Sequence, residues 1–206
     1  MKKIRILLSD DHLVVRMGLA LMIGRQSDME LVGEAENGEA AVRLAREVAP
    51  DVVIMDLQMP VMDGATATGR IRAENPDVKI LVLTTFGATA DTARALDAGA
   101  LSVLSKETSQ ESLLKAIRAT AHGESVIDDD IRASVEMSRA APKLSARQIE
   151  ILDYASRGFG NAEIAKLIGI SPDGVKKHLK VIYAAFGAST RAEASAMAIR
   201  LGHLKM

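Results

Sequence analysis

The run VVIMD at residues 52–56 places four apolar residues ahead of an aspartate, and IRILLSDD, starting at Ile4, does the same with Asp10 and Asp11. Burying one carboxylate is costly, and gathering three raises the pKa of each, because like charges oppose ionisation. Two further apolar runs end in groups of a different kind: KILVLT closes on Thr84, and LSVLS is followed by Lys106. Three carboxylates, a hydroxyl and an ammonium brought to one rim have a coherent chemistry. Carboxylates and water form a hard oxygen site suited to Mg²⁺, which relieves the like-charge penalty and holds one carboxylate as an ion. That carboxylate can attack phosphorus as a nucleophile and form an acyl phosphate. Lys106 and the cation would neutralise the phosphoryl oxygens, and Thr84 would offer one of them a hydrogen bond. Each residue alone has a plainer reading, since Asp is a common cap or turn former, Thr is common in strands, and a lone Lys is usually solvated.

The elements that must position these groups follow from periodicity. Strand-like apolar stretches fall near 4–9, 31–35, 52–55, 79–84 and 101–104. Between them, 12–26, 38–48, 64–74, 88–98 and 108–121 carry apolar residues at helical spacing. Asn37-Gly38, Pro50, Asn75-Pro76, Gly87 and Gly99 stand where the joints should be. Strict β/α alternation predicts a doubly wound α/β fold, a five-stranded parallel sheet with helices on both faces. In such a sheet ligands bind at the carboxyl ends of the strands, where the strand order reverses. The acids fall at those ends, at a site rather than in the core.

Residues 126–143 lose the alternation, and an acidic triplet, small residues and Pro142 predict a linker with some helix. From Leu144 the pattern is purely helical, near 145–157, 161–168, 171–186 and 190–201, so a small all-α four-helix unit should occupy 144–206. The formal charge divides the same way: net −4 over 1–125, −1 over 126–143 and +4 over 144–206. An acidic front and a basic back suggest different partners, although chance surface variation would give the same numbers. The absence of cysteine excludes disulfides and thiolate metal sites and fits a reducing cytoplasm. No run approaches the roughly 20 apolar residues of a membrane helix, and acids interrupt the opening MKKIRILLSDDH, so neither a membrane span nor a signal peptide is expected. With Tyr 2, Phe 3 and Trp 0, base stacking on an aromatic platform is not expected either.

In the basic segment, NAEIAKLIGISPDGVKKHLKVIYAAFG (161–187) reads as two helices joined by a tight turn at Gly169. Ser171, Pro172 and Asp173 suit the start of the second helix. Val175, Leu179, Ile182 and Phe186 form one apolar stripe, with Lys176, Lys177 and Lys180 gathered opposite. A helix entering the DNA major groove needs such a pair of faces, since lysine contacts phosphates and donates to guanine. A helical hairpin with a merely solvated basic face has the same pattern.

Over residues 4 to about 121 the chain resembles the receiver domain of bacterial response regulators, a flavodoxin-like fold. The resemblance is carried by the Asp10-Asp11 pair, DLQMPVMDG from Asp56 to Gly64, LT ending at Thr84, and GALSVLSK ending at Lys106. It implies that Asp56 is the phosphoacceptor, served by a sensor histidine kinase. Mg²⁺ would be held by Asp11, Asp56 and the Gln58 carbonyl, with Asp10 acting partly through water, and Thr84 and Lys106 would contact the phosphoryl group. Val103 stands where many receivers carry Tyr or Phe, and Glu107 where a Pro often follows the Lys. Two enzyme-like readings weaken on the residues present. Position 58 is Gln where an Asp-nucleophile hydrolase would often place an acid/base Asp, and no glycine-rich turn follows the first strand.

Residues 144–204 resemble the helix-turn-helix output domain of quorum-sensing and nitrate-regulator response regulators, through LSARQIEIL, GFGNAEIAKLIGIS and VKKHLKVI. The resemblance implies promoter-DNA contacts from Lys176, Lys177 and Lys180, a homodimer on activation packed through the last helix, and a transcription regulator rather than an enzyme. The expected division is a receiver at 1–125, a linker at 126–143 and a DNA-binding domain at 144–206. Two other outcomes stay open: a DNA-binding regulator independent of phosphorylation, and a phosphate sink whose tail docks a protein.

Overall fold

The computed structural model describes residues 2–85 and 89–204, so the break expected at Gly87 lies outside the described residues. The chain divides into two compact units, Met1–Val135 and Glu136–Met206. The first contains β1 (Ile4–Ser9), α1 (Leu13–Gly24), β2 (Met29–Ala35), α2 (Gly38–Val48), β3 (Val52–Asp56), α3 (Gly64–Glu74), β4 (Lys79–Thr84), α4 (Thr89–Asp97), β5 (Ser102–Ser105) and α5 (Gln110–Ala121). Then come α6 (Asp129–Ala140), within which the division between the units falls, and α7 (Ala146–Ser156), α8 (Asn161–Ile168), α9 (Pro172–Phe186) and α10 (Arg191–Arg200).

The strands form one parallel sheet in the order β2-β1-β3-β4-β5, as the alternation predicted. Side chains alternate across it. Leu7, Val53, Met55, Ile80, Val82 and Val103 face α2 and α3, against Ala41, Val42, Ala45, Ala67 and Ile71. Ile6, Leu8, Val52, Ile54, Leu81, Leu83 and Leu104 face α1 and α5, against Met22, Ile23, Leu113, Leu114 and Ile117. Burial on both faces explains why the strands read as continuous apolar runs. β2 begins earlier than the apolar stretch at 31–35, because Met29 is buried and pairs with Ile4 while Glu30 faces outward.

The start of the 126–143 segment is ordered onto β5. The Val103 N–H donates to the Val126 carbonyl (2.8 Å), and the Asp128 N–H donates to the Val103 carbonyl (3.2 Å). The Asp128 carboxylate accepts from the Ser105 N–H (2.8 Å). An edge strand leaves backbone groups unpaired, and these residues satisfy them.

In the second unit α7–α10 enclose a separate core built on Ile151, Leu152, Ile164, Val175, Leu179, Ile182, Phe186 and Ala198. Ser145 and Gln148 form a capping box at α7, Gly169 ends α8 with φ +70°, and Thr190 caps α10. No helix among the described residues is long and apolar enough to cross a membrane.

Candidate functional site: an acid pocket and a basic helix

The order β2-β1-β3 makes the gap between the ends of β1 and β3 the point where the chain reverses direction across the sheet. Ser9 is in register with Met55, so Asp10, the next residue, comes to lie beside Asp56. Thr84 is in register with Ser105, and the Lys106 N–H donates to the Thr84 carbonyl (2.8 Å). From there the Lys106 ammonium reaches Asp10 Oδ2 at 2.7 Å and Asp56 Oδ2 at 2.8 Å. Asp10 and Asp56 are buried, Lys106 nearly so, and Asp11 partly exposed.

The electrostatics follow from this crowding. Burial pushes the Asp56 carboxyl above the usual carboxylate range; the Lys106 hydrogen bond and charge pull it back, and the Asp10 charge pushes it up again. Burial disfavours the Lys106 ammonium, but its hydrogen bonds to Asp10 and Asp56 outweigh that effect and hold its pKa above the ordinary value. One cation shared by two carboxylates is well held, while each acid receives only part of its compensation. The Asp11 Oδ1 atom is buried without an aligned hydrogen bond, its close neighbour being His12 Nδ1 at 2.7 Å. A bound cation would stabilise such a buried carboxylate oxygen, and ligand atoms of Asp10, Asp11, His12 and Asp56 all lie within 4.8 Å of one another. The donor set therefore fits a divalent ion.

The loop after β3 is built to hold Asp56. Asp63 caps α3 by accepting from the Thr66 N–H (2.8 Å), and Arg94 of α4 holds the same carboxylate at 3.2 Å. The Gly64 N–H donates to the Leu57 carbonyl (3.0 Å), and a Cβ at Gly64 would lie 1.9 Å from the Asp56 carbonyl oxygen, so no other residue fits there. Gln58 lies beside the acid pocket, its N–H 3.5 Å from Asp56 Oδ1. Thr84 is buried at the end of β4, but its hydroxyl donates to the Thr85 carbonyl (3.1 Å) and not to a pocket carboxylate. Val103 is fully buried against the α2–α3 face. His12 was not singled out from sequence, and the structure brings it to the pocket: its N–H donates to Asp10 Oδ1 (2.8 Å) and its Nδ1 lies 2.7 Å from Asp11 Oδ1.

In the second unit Ser171 caps α9 through the Gly174 N–H (3.1 Å), with Pro172 in the first turn. Val175, Leu179, Ile182 and Phe186 are buried, and Lys176, Lys177 and Lys180 are all exposed. The two faces inferred from spacing are therefore present, and α8 packs against α9 in the manner of a helix-turn-helix.

Residues 6–118 match the response regulator receiver domain, and residues 142–198 match the bacterial regulatory proteins of the luxR family. The response regulator protein VraR of Staphylococcus aureus (strain Mu3) is 37% identical over 196 residues, 93% of this chain and 94% of VraR. Among solved structures, the response regulator ChrA of a heme-sensing two-component system is 34% identical with a TM-score of 0.61, covering 99% of this chain and 100% of that one. The Salmonella typhimurium response regulator RcsB, described in terms of conformational dynamism for DNA interaction, is 25% identical with a TM-score of 0.62, covering 96% and 99%. With its acid pocket at the sheet's switch point and its lysine-faced second helix, the chain belongs to the response regulators that join a receiver domain to a LuxR-family DNA-binding domain.

Proposed function

We propose that Asp56 accepts a phosphoryl group from a sensor histidine kinase and that the helical unit, as a dimer, then binds promoter DNA through Lys176, Lys177 and Lys180. The observation that carries the reading is the Lys106 ammonium bridging Asp10 and Asp56 beside the Asp11 carboxylate. In the transfer, an Asp56 oxygen forms the new P–O bond as the P–N bond of the donor phosphohistidine breaks and its electron pair leaves with the imidazole. Lys106, already 2.8 Å from the Asp56 carboxylate, is placed to follow the charge onto a phosphoryl oxygen, and Thr84 exchanges its bond to Thr85 for one to that group. Mg²⁺ would be held by Asp10, Asp11, Asp56 and the Gln58 carbonyl, and when bound it supplies positive charge for carboxylates and phosphoryl oxygens alike. The division we propose keeps residues 1–125 as receiver, 126–143 as linker and 144–206 as DNA-binding domain, acting in the cytoplasm.

Val103 favours a second reading, a DNA-binding regulator whose output does not follow phosphorylation. Being small, fully buried and tied by its backbone to Val126 and Asp128, it supplies no aromatic ring to follow Thr84. Light scattering with Mg²⁺, with and without beryllium fluoride as the acyl-phosphate mimic, separates the two. A monomer-to-dimer shift in wild type that is absent in Asp56→Asn supports phosphorylation-coupled output. No shift in either protein would reject that coupling and leave the second reading.

A further inference from the structure

We propose that His12 is a ligand of the divalent cation in the acid pocket, resting on the phosphoacceptor reading above, and that its imidazole biases the pocket toward first-row transition ions such as Mn²⁺ over Mg²⁺. His12 Nδ1 lies 2.7 Å from Asp11 Oδ1 and 3.3 Å from Asp10 Oδ1. The short contact holds the ring against the Asp11 carboxylate at the pocket rim. Ligand atoms of Asp10, Asp11, His12 and Asp56 all lie within 4.8 Å of one another. Adjacent ligands on an octahedral ion with bonds of about 2.1 Å stand about 3 Å apart, close to the separations found here. A cation bound to both His12 Nδ1 and Asp11 Oδ1 would make this approach one edge of its coordination shell.

The rest of His12 is consistent with this use. Its N–H donates to Asp10 Oδ1 (2.8 Å), which fixes the backbone at the pocket rim. Its side chain makes no capping bond to α1. The side chain is 66% exposed, which leaves an approach open to an entering ion. Mg²⁺ demands hard oxygen ligands, dehydrates reluctantly and gains little from a nitrogen. Transition ions accept imidazole alongside carboxylate, so the nitrogen strengthens their binding selectively.

The test uses the full-length chain and Mn²⁺ as the probe. Electron spin-echo modulation should reveal a directly bound nitrogen in wild type and lose it in His12→Gln. Calorimetry on the same pair should give Mn²⁺ affinity about tenfold weaker in the variant and Mg²⁺ affinity changed by less than about twofold. Mn²⁺ bound without nitrogen modulation, or modulation that persists in His12→Gln, would overturn the His12 assignment and leave the carboxylate pocket standing. Mn²⁺ affinity indifferent to Asp56→Asn would place the ion elsewhere, and the pocket reading would fall with the proposal.

Discussion

The His203 ring packs against Phe186, with centroids 5.7 Å apart, at the end of the helical unit. Its Nε2 is buried without a partner, and a ring N–H donates to the Pro142 carbonyl. Protonation would place both a charge and an unmatched N–H in that pocket. Burial accordingly pushes the His203 pKa below its ordinary value of about 6.5, against the smaller opposing effect of the Pro142 bond. Below pH about 6.5 the unfolded chain binds a proton that the folded unit resists, so this contribution to stability is fully present above that pH and is lost as pH falls through the folded pKa. In urea titrations at pH 7.5 and 5.5, wild type should lose more stability on acidification than His203→Phe, and equal losses would show that the ring titrates freely. Single residues were unevenly legible in the sequence. Asp10, Asp11, Asp56 and Lys106 stood out because charge interrupts an apolar run, and the structure gathers all four at one rim. His12 did not, since a polar residue before a helix looks like any cap, and only the fold shows its imidazole turned toward Asp11.

At the scale of elements, the β3–α3 junction shows how local chemistry positions Asp56. Asp63 caps α3, Gly64 permits contact with the Asp56 backbone, and the Gly38 N–H at the start of α2 donates to the Met62 carbonyl (3.1 Å). Between these anchors Val61 takes φ +68° and is 79% exposed. A β-branched residue in the left-handed region is strained by about 1–2 kcal/mol, and glycine relieves this at about 0.5–1 kcal/mol in chain entropy. Val61→Gly should therefore raise receiver stability by about 0.5–1 kcal/mol in denaturant titrations. A fall in stability would mean that Val61 makes contacts worth more than its strain. The start of α9 was legible because Ser171 caps it by a local side-chain bond, as Asn37, Asp63, Ser109 and Ser145 cap their own helices. The pairing of residues 126–128 with β5 was not, because an edge strand recruits backbone groups whatever side chains they carry. The early start of β2 was hidden for a related reason, Met29 being buried beside an outward Glu30.

For the molecule as a whole, the split between net −4 over residues 1–125 and +4 over 144–206 bears on DNA affinity and its salt dependence. Exposed charges are screened beyond roughly 8–10 Å at physiological salt, so affinity must come from lysines placed against phosphates and not from the distant field of the domain. Only Lys176, Lys177 and Lys180 are concentrated on the exposed face of α9. If each neutralises one phosphate, the slope of log K against log salt should be about −2.7 for one bound protomer and about −5.4 for a dimer on paired half-sites. Adding beryllium fluoride and Mg²⁺ should move wild type from the shallow slope to the steep one while Asp56→Asn stays shallow, as fluorescence anisotropy on a labelled duplex would record. Replacing the three lysines by alanine should flatten the slope under both conditions. A wild-type slope already steep without beryllium fluoride would mean that two protomers engage DNA before any phosphoryl mimic is present. The acid pocket would then report on metal and phosphate without governing the output, as the buried Val103 would allow.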